Sequence, residues 1–283
     1  MLSIGITTGI SAALLWAIYD IIAKDFSVKY GNVRAALFAT SGAALVMLLG
    51  SIVFPSFTIN AYDVFLITIA GISSGIAYSL FYISLKDSQV TNTVALVQIQ
   101  PAVLALFGIF ILNESMSNTA ILGIVLVFAG SLFVVIDRSF RIDQKLIPAA
   151  FAMLLWGLGW IPIAYVIFAM NNFIVPQFLA MLFTIATVIA FTHFSNPKLL
   201  KETFAKQKFS MAKAASLGLF NGVAIVLFGA AAFANEIAKA GTLMAFTPVA
   251  VAILGAILFR DKLTKGQTLG LLIAVVGAII LAY

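Results

Sequence analysis

Ten apolar stretches alternate with short polar interruptions along the chain. They fall near residues 3–23, 32–54, 62–84, 91–112, 119–136, 145–169, 173–194, 214–234, 241–259 and 266–282. A helix needs about 20 apolar residues to cross the hydrocarbon core, so each stretch predicts a transmembrane α-helix. Polar clusters such as Lys86-Asp87-Ser88-Gln89 and Asn235-Glu236 separate them, and the linkers are too short to hold a soluble domain. The longest connector, about 195–213, carries Lys198, Lys201, Lys206, Lys208 and Lys213 and predicts an amphipathic interfacial segment. No Lys or Arg precedes the first stretch and no clear cleavage site follows it. It therefore reads as a first span and not as a signal peptide.

Composition narrows the class. Hydrophobic residues make up 63% of the 283 and charged residues only 9%, against roughly a quarter in a soluble domain. So few charges cannot cover a water-facing surface, so the partner surface is a lipid bilayer. The net charge of +6 is then read by its placement relative to the membrane, not as a nucleic-acid footprint. The absence of cysteine and the presence of one histidine, His193, leave no thiolate or His-cluster metal site. No nucleophile elbow, phosphate-binding loop or His–carboxylate set is present, so neither an enzyme nor a nucleotide-driven pump is expected, and no cofactor.

The chain also repeats itself. A shift of 147 residues carries the third to fifth stretches onto the eighth to tenth without a gap. Gly71 meets Gly218, Gly75 meets Gly222, Pro101 meets Pro248, Glu114 meets Asp261, Gly123 meets Gly270 and Gly130 meets Gly277. A shift of 140 sets Leu14-Leu15-Trp16 on Leu154-Leu155-Trp156. The expected organisation is therefore two five-helix repeats, residues 1–140 and 141–283. Five spans is an odd number, so the second copy enters the membrane from the opposite side. Charge agrees: of the 16 Lys and Arg residues, all but Lys239 lie after odd-numbered spans. The positive-inside rule places those loops in the cytoplasm and both termini outside. Inverted repeats of this kind build secondary transporters, with the substrate site at their interface.

These features resemble the EamA-type transporters of the drug/metabolite transporter superfamily. The resemblance covers the whole chain. It rests on the early Trp of each unit (Trp16 and Trp156) and on two related signatures. One is Gln100-Pro101-Ala102-Val103 with Glu114 and Gly123; the other is Phe246-Thr247-Pro248-Val249 with Asp261 and Gly270. It implies a basket of ten helices around a central cavity in a plasma or inner membrane. It also implies alternating access and the export or exchange of amino acids or other small metabolites. Members of the family often keep both termini in the cytoplasm, and the charges of this chain argue for the reverse. A flippase for lipid-linked substrates, and a membrane scaffold or receptor without transport, are the other readings. A monomer is the working expectation.

Candidate pathway residues follow from polarity and spacing. Gly71, Ser74, Gly75, Tyr78 and Tyr82 form one stripe, and its copy holds Gly218, Asn221, Gly222 and Ile225. The glycines suit packing seams, while Tyr78, Tyr82 and Asn221 are candidates to line a cavity. Gln98 and Gln100 need partners in a membrane interior but point in opposite directions. Relatives that handle aromatic amino acids carry aromatic residues at those two positions, so the resemblance implies a smaller or more polar substrate here. Trp16, Trp156 and Trp160 offer apolar area with one N–H donor each, and Thr247 stands in the second signature. Pro101 and Pro248 are candidate bends for gating hairpins. Asp20 is the coupling candidate, placed near the end of its helix, where its spacing from Lys24 favours a solvated ion pair. Glu114 and Asp261 read as structural, and no charged residue is expected at a span centre.

Overall fold

The computed structural model describes residues 4–55, 58–97, 99–100, 117–135, 143–205, 208–234, 236, 240–241, 243–244, 246–260 and 262–282. All regular structure within them is helical: α1 Ile4–Tyr30, α2 Asn32–Val53, α3 Ala61–Asp87, α4 Val90–Val97, α5 Asn118–Val135, α6 Ile147–Ala169, α7 Val175–Ser195, α8 Pro197–Phe204, α9 Met211–Phe233, α10 Phe246–Leu258 and α11 Lys265–Ala282. Among the described residues, six helical segments are long and apolar enough to cross a bilayer: α1, α2, α3, α7, α9 and Gln144–Ala169, which joins a short 3₁₀ turn to α6. The protein is thus an all-α, multi-pass membrane protein. Beyond Gln100, the remainder of the expected fourth span lies outside the described residues, as do Glu114 and Asp261.

Local chemistry sets the helix ends. Asn60 and Asp63 form a capping box at the start of α3, each side chain accepting from the other's backbone N–H at 2.9 and 3.1 Å. Asn196 and Ser210 cap α8 and α9 by accepting from Leu199 and Lys213 N–H. Gly31, at φ 97°, supplies the left-handed residue that lets α1 give way to α2. The expected interfacial segment contains α8, a short helix with no buried residue. Arg34, itself buried, donates to the Glu202, Thr203 and Ala205 carbonyls at the end of α8, where a cation is favoured.

Residue size is distributed for lipid. Ala12, Ala17, Ala23, Ala35, Ala39 and Ala43 are buried, whereas Leu14, Leu45, Leu49, Phe65, Phe151 and Leu158 are exposed. Apolar burial gives little drive between helices in hydrocarbon, so close van der Waals approach holds them together and small residues line the contacts.

The contacts have a reciprocal pattern. On α3, Gly71 lies against Ala180 and Thr184, and Gly75 against Thr184 and Thr187, so α3 and α7 run parallel. On α9, Gly218 lies against Gly42 and Gly222 against Ala43 and Val46, so α9 and α2 are also parallel. A Cβ on Gly42 would sit 2.5 Å from Gly218 Cα, which leaves room only for glycine on glycine. Helices α5 and α11 cross antiparallel, Gly130 facing Gly270 and Ala274 while Gly277 faces Gly123 and Val127. The pairs α1 with α9 and α3 with α6 are antiparallel too: Gly5 meets Glu236 and Trp16 meets Asn221, just as Ser84 meets Lys145 and Ser73 meets Leu155.

Candidate functional site

Where these helices converge, they leave a cavity of about 110 Å³. Helix α1 contributes Trp16, Tyr19 and Asp20, and α3 contributes Ser74, Tyr78 and Phe81. Gln100 follows α4, while α6 supplies Trp156 and Trp160. Gln177 and Thr184 come from α7, and Asn221 and Ile225 from α9. The period of each helix explains these sets. Trp16 and Asp20, Ser74 and Tyr78, and Trp156 and Trp160 are all four apart, which stacks each pair on one face.

A small network organises the wall. Asn221 Oδ1 accepts from Trp16 Nε1 at 3.3 Å, and Asn221 Nδ2 donates to the Tyr78 hydroxyl at 2.8 Å and to the Ala39 carbonyl at 3.4 Å. One amide thus fixes a tryptophan and a tyrosine from two other helices. The Trp156 ring packs edge-on against Tyr78, with centroids 5.0 Å apart, and tilted against Phe81 at 5.3 Å. Phe228 stands between Trp160 and Trp16, with centroids at 4.7 and 5.9 Å. Such edge contacts lock the rings beyond what area burial provides.

Of the residues singled out from sequence, Trp16, Asp20, Tyr78, Gln100, Trp156, Trp160 and Asn221 come together here. Tyr82 does not reach the cavity. It is fully buried behind it, its hydroxyl 2.8 Å from that of Tyr19. Thr247 is buried in α10 and donates to the Ala13 carbonyl at 3.3 Å, so it too stands off the wall. Pro248 is buried within α10, while Gln98 and Pro101 lie outside the described residues.

The expected Asp20–Lys24 ion pair is absent. Helix α1 continues to Tyr30, seven residues past the predicted span end, which carries Asp20 into the protein interior. Lys24 instead donates to the Leu85, Lys86 and Ser88 carbonyls at 2.8, 3.0 and 2.6 Å. These carbonyls end α3, where a cation is favoured. The solvated acid at this end of α1 is Asp25, which pairs with Lys29 at 2.7 Å and with Lys213 of α9. Asp20 is only 5% exposed, and no cation or hydrogen-bond donor among the described residues touches its carboxylate.

Tyr19, Phe81, Gln177 and Thr184 were not anticipated. Tyr19 sits one turn beyond Trp16, a signal present in the spacing. Gln177 lies in the first turn of α7, where a polar residue reads as part of a loop.

The family model described as the EamA-like transporter family matches residues 3–136 and 145–283. A protein of Clostridium kluyveri described as an uncharacterized transporter is 27% identical over 135 residues, 46% of this chain. That match spans 43% of the relative's own length, under half. A solved crystal structure shares the fold, with a TM-score of 0.70 over 99% of this chain and 96% of its own at 16% identity.

Proposed function

The chain belongs to the EamA-like transporter family, and from that membership and the cavity we propose that it is a secondary transporter moving small polar metabolites across the membrane by alternating access. The observation that carries this reading is the cavity itself, walled by α1, α3, α6, α7 and α9 together. In this reading the chain forms ten spans as two inverted repeats, residues 1–140 and 141–283. The reciprocal contacts support it. Exchanging α1, α2 and α3 for α6, α7 and α9 turns the α3–α7 pairing into α9–α2 and the α1–α9 pairing into α6–α3, and parallel stays parallel. Inversion about an axis in the membrane plane would give that pattern. The hairpin of the third and fourth expected spans, and that of the eighth and ninth, which contain α9 and α10, would serve as gates, with Pro101 and Pro248 as bends. The basic loops would face the cytoplasm, with both termini outside.

Flux of amines, amino acids and other small metabolites in proteoliposomes is the test. Transport of one chemical class should saturate and should fall at least about tenfold in a Trp156→Ala/Gln100→Ala variant that elutes as a folded species. Unchanged flux in that variant would remove the site assignment.

A further inference from the structure

We propose that the cavity binds a small organic monocation, with Asp20 as its counter-charge and the surrounding aromatic rings as its cage. The proposal rests on the transport reading above and narrows its substrate class. Asp20 is the one charged residue among the described residues that line the cavity, and it is 95% removed from solvent. A carboxylate held out of water without a partner is costly. In a membrane interior such an acid marks a ligand or ion pathway. Among the described residues no cation stands against Asp20: Lys24 and Arg34 engage helix-end carbonyls, and Lys29 and Lys213 engage Asp25. Among the described residues, the titratable groups near Asp20 are Tyr19, Tyr78 and Tyr82.

The wall fits a cation for a second reason. Trp16, Tyr19, Tyr78, Phe81, Trp156 and Trp160 all border the same space. Aromatic faces attract ammonium groups, by about 2 kcal/mol or more when water is excluded.

The same inventory argues against a zwitterion. An amino acid would bring a carboxylate, and no Lys, Arg or His among the described lining residues stands ready for it. The volume suits a ligand of a few heavy atoms, since a cavity of about 150 Å³ holds benzene.

The experiment is ligand binding by the purified full-length protein, read by heat unfolding and by calorimetry. Tetramethylammonium is the probe, tert-butanol its neutral near-isostere and glycine betaine its zwitterionic relative. Tetramethylammonium should bind at least about tenfold more tightly than either. Asp20→Asn should lose that preference while eluting and unfolding as the wild type does. Equal binding of cation and neutral isostere, or full cation binding by Asp20→Asn, overturns the proposal. Should the Asn variant fail to fold, the wild-type comparison still decides. Saturable transport of a neutral or zwitterionic metabolite without cation binding overturns the cation assignment and keeps the transporter. Loss of all flux and all binding in folded protein overturns both.

Discussion

The glycine seams and the cavity wall obey different rules. Along the seams the two halves of the chain are alike: Gly71 and Gly75 rest on α7 as Gly218 and Gly222 rest on α2. Along the wall they differ. The 147-residue shift that superimposes those glycines sets Ser74 on Asn221 and Tyr78 on Ile225. The 140-residue shift that sets Trp16 on Trp156 also sets Asp20 on Trp160. Backbone approach tolerates one solution, so it is used twice. A ligand has no reason to be symmetric, so the residues that would touch it diverge. Where one half places a carboxyl group on the wall, the other places an indole, and both border the same cavity.

Three substitutions would break or sharpen that contrast. The largest effect belongs to Gly218→Leu, which forces a side chain between two backbones at the α2–α9 crossing. Overpacking costs about 1–3 kcal/mol where neighbours can yield, and backbone cannot. We expect no monodisperse protein on gel filtration; a folded product would show that the seam is loose. Next is Asn221→Leu, which strands the Trp16 N–H and the Tyr78 hydroxyl. Each unsatisfied buried group costs about 1–3 kcal/mol, so a fall of several degrees in unfolding temperature is expected. An unchanged temperature would mean that water replaces the amide. The smallest effect is Ser74→Ala at the related position of α3. Ser74 lines the cavity and makes no interhelical hydrogen bond among the described residues, so stability should stay within about 0.5 kcal/mol. A larger loss would place Ser74 in the packing instead.

Much of this was legible in the sequence because membrane physics leaves few choices. Apolar length marked the six long spans among the described residues, and the repeated glycines marked the seams. Trp16 and Trp156 were found from their related places in the two halves. The errors share one cause, which is that spacing along one helix says nothing of what a neighbouring helix offers. Asp20 and Lys24 have the spacing of an ion pair, but the end of α3 presents three carbonyls that Lys24 takes instead. Tyr82 shares a stripe with Tyr78, yet Tyr19 lies beside its hydroxyl. Hydropathy ended the first span at 23, where the polar residues begin. The helix runs on to Tyr30 because Asp25 and Lys24 find partners on α9 and α3.

The Trp16–Asn221 bond has a consequence for how the chain is made. Its two residues are 205 positions apart. At about 5–20 residues per second, α9 leaves the ribosome roughly 10–40 s after α1. Through that interval the first helix must wait in the bilayer or at the insertion machinery, with Asp20 and the face meant for α9 uncovered. Assembly of this part of the wall is therefore a late event in synthesis.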